Sequence, residues 1–209
     1  MHENTSTATA GLPLEEAQAA MIIIHGRGAT APSILTLADE FQLSDFAVFA
    51  PQAHQNTWYP NSFLAPMESN QPGLDSGLAK IGALVAHIEA GGIPSEKIMI
   101  GGFSQGACLS SEYVARNAKR YGGVFALSGG VIGPPDTARN YAGSMAGTPI
   151  FLGCSDIDFH IPVDRVHETA GVFETLGASV DKRIYPNMGH TVNQDEIEAV
   201  KLIAHNLIS

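Results

Sequence analysis

The order of apolar segments along the chain constrains its fold more than any other feature. Short apolar runs alternate with longer segments in which apolar residues recur at helical spacing. The runs expected to form strands are residues 20–25, 46–50, 97–101, 123–128, 149–153 and 180–185. The segments expected to form helices are residues 32–41, 74–90, 105–121, 162–176 and 194–207. This alternation predicts an α/β fold, in which helices cover both faces of a mostly parallel central sheet.

The chain is expected to form a single domain. Its 209 residues lie within the usual range for one domain, and no shift in composition divides them. Residues 19–209 are assigned to this domain, and residues 1–18 to an N-terminal tail with a possible edge element. Residues 52–73 break the alternation, and a loop of this length often carries a function.

Charge and composition narrow the classes of partner. Lys and Arg number 11 against 21 Asp and Glu, which gives a net charge of −10. Such a charge repels phosphate backbones and anionic lipids, so we expect neither nucleic acid nor stable membrane association. No apolar stretch approaches the roughly 20 residues of a membrane span, and no export signal is visible. Cys108 and Cys154 have no metal-ligand spacing and make no disulfide scaffold. These features predict a cytoplasmic protein that binds a small molecule.

The segment Gly102-Phe103-Ser104-Gln105-Gly106 matches the pattern G-x-S-x-G. A predicted strand ends directly before it, and a predicted helix begins at Gln105. A serine on this strand-to-helix turn exposes its hydroxyl above the carboxyl end of the strand. The Gln105 N–H lies at a helix N-terminus, where free donors and the helix dipole favour a developing oxyanion. The sequence therefore predicts Ser104 as a nucleophile and Gln105 as an oxyanion-hole donor.

A serine nucleophile requires a histidine base and an acid that orients it. His190 follows the last predicted strand, and Asp158 follows the strand at residues 149–153. Ser104, Asp158 and His190 thus occur in the order Ser, Asp, His, each near the carboxyl end of a strand, where sheets of this type place their active sites. The turn His25-Gly26-Arg27-Gly28 follows the first clear strand, and its Arg27 N–H is expected to be the second oxyanion donor.

Two other classes of function compete with this hypothesis. A metal site can be imagined from His25, His54, His160 and Asp158, but their spacings match no metal motif. A binding module that keeps the fold without turnover is the other class, and the complete Ser, Asp and His set argues against it. The leading hypothesis is a hydrolase that needs no cofactor and acts on small-molecule esters.

The chain resembles the α/β-hydrolase family of phospholipases and carboxylesterases that includes the acyl-protein thioesterases. The resemblance covers about residues 20–208 and is carried by His25-Gly26-x-Gly28, Gly102-Phe103-Ser104-Gln105-Gly106-Ala107, Asp158 four residues before Pro162, and Met188-Gly189-His190. It implies an α/β-hydrolase fold and serine-esterase chemistry. The resemblance also implies Ser104 as the nucleophile, His190 as the base, Asp158 as the residue that orients the base, and Arg27 and Gln105 as the oxyanion donors.

Three segments depart from the family pattern. Arg27 and Ala29 stand where the family usually has an apolar residue and an acid, and Phe159-His160-Ile161-Pro162 replaces the frequent Pro-Val-Val-Pro. The segment Asn56-Thr57-Trp58-Tyr59-Pro60 keeps the tryptophan of the family's substrate loop without the acid that often follows it.

These changes predict a narrower pocket mouth, and hence a preference for small to medium apolar esters. The residues expected to line the pocket are Trp58, Phe63, Leu64, Phe159, His160 and Met188. An acyl-thioesterase or a lysophospholipase is the alternative activity, and the expected assembly is a monomer or homodimer.

Overall fold

A seven-stranded sheet forms the centre of the computed structural model, which describes residues 1–209. The strands are β1 (Thr7–Gly11), β2 (Ala19–Ile24), β3 (Phe46–Pro51), β4 (Ile98–Phe103), β5 (Gly123–Leu127), β6 (Pro149–Ser155) and β7 (Ser179–Tyr185). They lie in the order β1-β3-β2-β4-β5-β6-β7. β1 pairs antiparallel with β3, and every other pair is parallel.

Five helices cover the two faces of the sheet. They are α1 (Ala31–Glu40), α2 (Gly73–Ala90), α3 (Gln105–Arg116), α4 (Val163–Thr175) and α5 (Gln194–Ile208). Alternate residues of the fully buried β2 join two separate apolar clusters, because successive side chains of a strand point to opposite faces. One cluster includes the buried apolar residues of α1 and α5, and the larger one includes those of α2, α3 and α4. The fold class predicted from the sequence is confirmed.

β1 is the edge strand that the sequence offers only as a possible element of residues 1–18, because its short and half-exposed sequence gives little strand signal. The extent of one helix differs from the sequence-based expectation. α3 ends at Arg116 and not near Tyr121, because Asn117 leaves the helical region at φ −120° and ψ 49°. The next residue, Ala118, instead forms an isolated bridge with Gly143.

The topology brings four chain segments to one end of the sheet. The turn at Gly26 follows β2, Ser104 follows β4, Asp158 follows β6 and His190 follows β7. All four strands are parallel and adjacent or nearly adjacent, so their carboxyl ends meet at one edge. No helix has the length and apolar character needed to cross a membrane.

The segment before β1 is anchored in the core by His2, which is fully buried. The His2 backbone N–H donates to Ser76 Oγ at 2.7 Å, and its ring nitrogen Nε2 lies 3.0 Å from the Trp58 carbonyl. Its Nδ1 accepts from the His54 N–H at 2.9 Å, so the proton of the neutral ring is on Nε2. Burial lowers the pKa of His2 below its ordinary value.

We predict that His2→Ala lowers the free energy of unfolding by about 2 kcal/mol, because the Trp58 carbonyl and the His54 N–H lose their partners. Because the pKa of His2 is lower in the folded state, the unfolded chain binds this proton more tightly. The contribution of His2 is therefore present above the ordinary pKa of about 6.5 and is lost as the pH falls below it.

Urea denaturation of the wild type and the variant at pH 8.0 and pH 5.5 measures both effects. The difference in stability between the two proteins should be larger at pH 8.0. His167→Ala is the matched control, because His167 is exposed on α4. Equal stability of His2→Ala and wild type at pH 8.0 would contradict the anchoring role.

Candidate active site

Ser104 occupies the turn between β4 and α3 in a backbone conformation that few residues adopt. Its φ is 56° and its ψ is −121°, and positive φ is uncommon for residues other than glycine. Two flanking glycines permit the turn. A Cβ on Gly102 would lie 2.4 Å from the Ile24 carbonyl oxygen, and one on Gly106 would lie 2.1 Å from the same oxygen. The G-x-S-x-G spacing is thus a steric requirement of the contact between this turn and β2.

A continuous hydrogen-bonded chain joins Ser104, His190 and Asp158. His190 Nε2 lies 2.9 Å from Ser104 Oγ, and His190 Nδ1 lies 2.6 Å from Asp158 Oδ2. The tautomer that satisfies both contacts carries its proton on Nδ1 and accepts from the serine hydroxyl at Nε2. The structure therefore brings together the three residues that the sequence predicts as catalytic.

Asp158 is held as a buried carboxylate. Its side chain is fully buried, and Oδ1 accepts hydrogen bonds from the His160 N–H at 2.8 Å and the Ile161 N–H at 3.1 Å. Burial alone raises the pKa of this carboxyl. The hydrogen bonds from His190 and the two backbone groups outweigh burial and hold the pKa of Asp158 below its ordinary value. Asp158 is consequently ionised at neutral pH.

The imidazole of His190 packs between two other rings. Its centroid lies 4.8 Å from that of Phe103 and 4.8 Å from that of His160, with the His160 ring nearly perpendicular. The loop that carries His190 is fixed by a hydrogen bond from the Gly189 N–H to Ser155 Oγ at 3.1 Å. These contacts leave the His190 ring little freedom to rotate away from Ser104.

The same loop ends in the N-terminal cap of α5. Asn193 Oδ1 accepts from the Glu196 N–H at 3.0 Å, and Glu196 Oε2 accepts from the Asn193 N–H at 2.9 Å. Glu196 is fully buried, and its Oε1 has no hydrogen-bond partner. Burial raises the pKa of Glu196 to about 7. This reciprocal cap joins the His190 loop to the helix that packs beneath the sheet.

Two backbone N–H groups beside Ser104 have no partner within the protein. They belong to Arg27 and Gln105, and both residues line the cleft above Ser104. The peptide between Gly26 and Arg27 is held by its carbonyl oxygen, which accepts from His25 Nδ1 at 2.8 Å and from the Ala29 N–H at 3.2 Å. Because the N–H of a trans peptide points opposite to its carbonyl, the Arg27 N–H faces away from His25.

The cleft over Ser104 has a volume of about 500 Å³. Its lining comprises Gly26, Arg27, Ala29, Tyr59, Pro60, Asn61, Ser62, Phe63, Phe103, Ser104, Gln105, Cys108, His160, Ile161 and His190. Asp and Glu are absent from this lining, although the whole chain carries a net charge of −10. The volume lies within the range typical of small-molecule sites.

Phe63 and His160 line the cleft, as the sequence predicts, but the other four predicted pocket residues do not. Trp58 is fully buried beneath the loop, where Nε1 donates to the His25 carbonyl at 2.9 Å. Leu64 packs against the larger apolar cluster, and Phe159 is 81% exposed outside the cleft. Met188 lies beside Asn193, whose Nδ2 is 2.8 Å from the Met188 sulfur. The pocket prediction is therefore wrong for Trp58, because its indole is held inward by polar contacts.

Tyr59, Ile161 and Cys108 line the cleft and were not among the predicted pocket residues. Tyr59 directly follows the inward-facing Trp58, and Ile161 directly follows His160, which also lines the cleft. Cys108 lies one turn after Ser104 on α3, and that helical spacing places both on the same side. Burial raises the pKa of the Cys108 thiol to about 12, which makes it an inert wall residue.

No group of three or more His, Cys, Asp and Glu side chains is arranged to hold a metal ion. His25 and Asp158, two residues of the imagined metal site, are each engaged in other hydrogen bonds.

The sheet topology and a Ser, His and Asp cluster at the carboxyl ends of its strands define an α/β hydrolase. The family model described as Phospholipase/Carboxylesterase matches residues 11–205. The chain belongs to this family, and it is a serine hydrolase that acts on esters.

Known proteins resemble the chain over most of its length. The crystal structure of a phospholipase/carboxylesterase from Dyadobacter fermentans is 44% identical, with a TM-score of 0.92, and the match covers 99% of this chain and 97% of that one. Acyl-protein thioesterase 1 of Saccharomyces cerevisiae is 28% identical in an alignment that covers 88% of this chain and 91% of the relative. A probable carboxylesterase of Oryza sativa is 26% identical in an alignment that covers 85% of this chain and 73% of the relative.

We predict that Gly106→Ala lowers the free energy of unfolding by about 3 kcal/mol or more, because the added Cβ meets the Ile24 backbone and forces α3 from the sheet. Gly171→Ala is the matched control within a helix. A Cβ on Gly171 meets no atom within 4 Å, so this variant should be stabilised by about 0.5–1 kcal/mol. Thermal denaturation of both variants measures the difference, and similar melting temperatures would contradict the close approach of α3 to β2.

Proposed function

We propose that this protein hydrolyses carboxylic esters with short to medium apolar acyl groups, with Ser104 as the nucleophile and His190 as the general base. Asp158 orients the imidazole and stabilises its charged form, and no cofactor is required. The observation that carries the proposal is the hydrogen-bonded chain from Ser104 Oγ through His190 to the buried Asp158 carboxylate.

The chemistry follows from these contacts. Ser104 Oγ attacks the ester carbonyl while its proton passes to His190 Nε2, and the Asp158 carboxylate stabilises the imidazolium that forms. The carbonyl oxygen becomes an oxyanion and accepts hydrogen bonds from the free N–H groups of Arg27 and Gln105. The tetrahedral intermediate then collapses, and the leaving alkoxide takes the proton from His190 as alcohol. Water then attacks the acyl-enzyme while His190 takes its proton, and the second tetrahedral intermediate forms. As this intermediate collapses, the acid leaves and His190 returns the proton to Ser104 Oγ.

The lining of the cleft supports an uncharged, partly apolar substrate. Tyr59, Phe63, Phe103 and Ile161 present apolar surface, and no carboxylate faces the cleft. Each methylene that fits against this surface should contribute about 0.8 kcal/mol to transition-state binding. The value of kcat/KM should therefore rise with acyl length until the acyl group fills the cleft. The proposal extends to a monomer or homodimer in the cytoplasm, which fits two free and buried cysteines.

An acyl-thioesterase or lysophospholipase is the second candidate, favoured by the relatives named acyl-protein thioesterase 1. Carboxylesterase and thioesterase or lysophospholipase activity would use the same proposed nucleophile and base, so the candidates differ only in their substrate. A series of oxygen esters and thioesters with identical acyl groups distinguishes the candidates through their kcat/KM values. A non-catalytic ligand-binding protein would turn over neither series.

We predict that Ser104→Ala and His190→Ala each lower kcat for a p-nitrophenyl ester by about a thousandfold or more, since the oxyanion donors alone leave only residual catalysis. Ser104 lines the cleft and its hydroxyl hydrogen-bonds only to His190, so the Ser104→Ala variant should remain folded. Circular dichroism and steady-state kinetics check both statements. More than about a thousandth of the wild-type kcat in folded Ser104→Ala would contradict the assignment of the nucleophile.

His160→Ala should retain most of the wild-type kcat on a short ester, because His160 contacts His190 by ring packing and does not hydrogen-bond to Ser104. Its removal enlarges one side of the cleft, so the preference among esters should change. Kinetics on acetate, butyrate and octanoate esters measure this change. If His160→Ala abolished turnover while His190→Ala retained it, the two histidines would exchange roles.

A further inference from the structure

Residues 59–63 form one wall of the cleft, and each of their carbonyl oxygens is held by a donor from another part of the protein. The five donors are Gln105 Nε2 to Tyr59 at 2.9 Å, Arg27 Nη1 to Pro60 at 2.9 Å, Arg27 Nη2 to Asn61 at 2.6 Å, Asn70 Nδ2 to Ser62 at 2.9 Å, and the Gly133 N–H to Phe63 at 2.8 Å. Two of the five contacts therefore come from one side chain.

Arg27 links the turn after β2 to this wall. Its backbone lies in the turn that offers the free N–H beside Ser104, while its guanidinium reaches the carbonyls of Pro60 and Asn61. No carboxylate pairs with the guanidinium, and its carbon lies 6.0 Å from the centre of the Tyr59 ring. The planar fork of an arginine suits two adjacent acceptors, a geometry that neither lysine nor an apolar side chain reproduces.

We propose that the Arg27 guanidinium is a specificity-determining group that sets the width of the cleft by fixing Pro60 and Asn61 to the turn after β2. The inference rests on the proposed ester hydrolysis and deepens it, because it assigns the upper limit on substrate size to one side chain. This pair of hydrogen bonds is called the Arg27 clasp.

The neighbouring contacts define what the clasp controls. Gln105 holds Tyr59, and Asn70 binds both the Asn61 N–H and the Ser62 carbonyl, so the two ends of the wall stay attached when Arg27 is changed. Only the middle of the wall, at Pro60 and the Asn61 carbonyl, loses its attachment. The cleft should then widen beside Ser104 while the Ser104 and His190 contact is retained.

The test compares p-nitrophenyl acetate and p-nitrophenyl octanoate as substrates for three variants. Arg27→Met keeps a long flexible side chain without hydrogen-bond donors. Arg27→Lys keeps the positive charge without the two coplanar donor groups of the guanidinium. Arg120→Met is the matched control, since Arg120 donates to a single carbonyl, that of Ala146, outside the cleft. The measured quantity is the ratio of kcat/KM for octanoate to that for acetate.

We predict that Arg27→Met raises the octanoate-to-acetate ratio of kcat/KM by about fivefold or more. The change should come mainly from a lower KM for octanoate, because a longer acyl group then fits the cleft. Arg27→Lys should give an intermediate ratio, and Arg120→Met should match the wild type. A purely structural role would lower kcat/KM for both esters by the same factor. An unchanged or lower ratio in Arg27→Met therefore contradicts the clasp.

The single tryptophan reports whether the variants fold, because Trp58 is buried directly beside the wall and its backbone N–H donates to Gln105 Oε1 at 2.9 Å. The emission maximum of Trp58 should be unchanged in folded Arg27→Met. If that variant fails to fold, the ratio for Arg27→Lys decides the question by the same criterion. Failure of the wild type to hydrolyse either ester contradicts the proposed function, whereas turnover with an unchanged ratio contradicts the clasp alone.

Discussion

The close approach of α3 to the carboxyl end of β2 is the constraint on which the site depends. At Gly102 and Gly106 the Ile24 carbonyl oxygen occupies the space that a Cβ would take, so the chain can pass only with glycine on both sides of Ser104. This contact holds Ser104 at positive φ and starts α3 at the next residue. The Ser104 hydroxyl that lines the cleft and the free Gln105 N–H are two consequences of one backbone turn, so the proposed nucleophile and one proposed oxyanion donor lie side by side.

A network of hydrogen-bonded side chains supports the turn after β2 and the cleft wall formed by residues 59–63. Trp58 lies between the rings of His2 and His25, with centroid distances of 5.1 and 5.2 Å. Burial lowers the pKa of both His2 and His25, so both rings are neutral at physiological pH and keep the tautomers that these contacts need. The Gln105 side chain joins this network to the start of α3, because it accepts from the Trp58 backbone N–H and donates to the Tyr59 carbonyl. The positions of the two proposed oxyanion donors thus depend on hydrogen-bonded residues that lie beneath the cleft.

The sequence predicted the fold class and the meeting of Ser104, Asp158 and His190, because these depend on strand order and short motifs. The sequence did not reveal which way a loop side chain faces. Trp58 and Phe159 are both aromatic residues in loops, yet one is fully buried and the other is 81% exposed. Partners distant in sequence decide this: the carbonyl of His25 holds the Trp58 indole inward, and no local pattern encodes that contact.

The central claim is that Ser104, His190 and the two free N–H groups act as one unit on a carboxylic ester. A crystal structure of the protein after reaction with a p-nitrophenyl alkylphosphonate tests this claim most directly, because the adduct mimics the tetrahedral intermediate. We predict a covalent bond to Ser104 Oγ and a phosphonyl oxygen within about 2.7–3.1 Å of the Arg27 and Gln105 backbone nitrogens. A phosphonate bound to another side chain, or a phosphonyl oxygen turned away from both N–H groups, would contradict it.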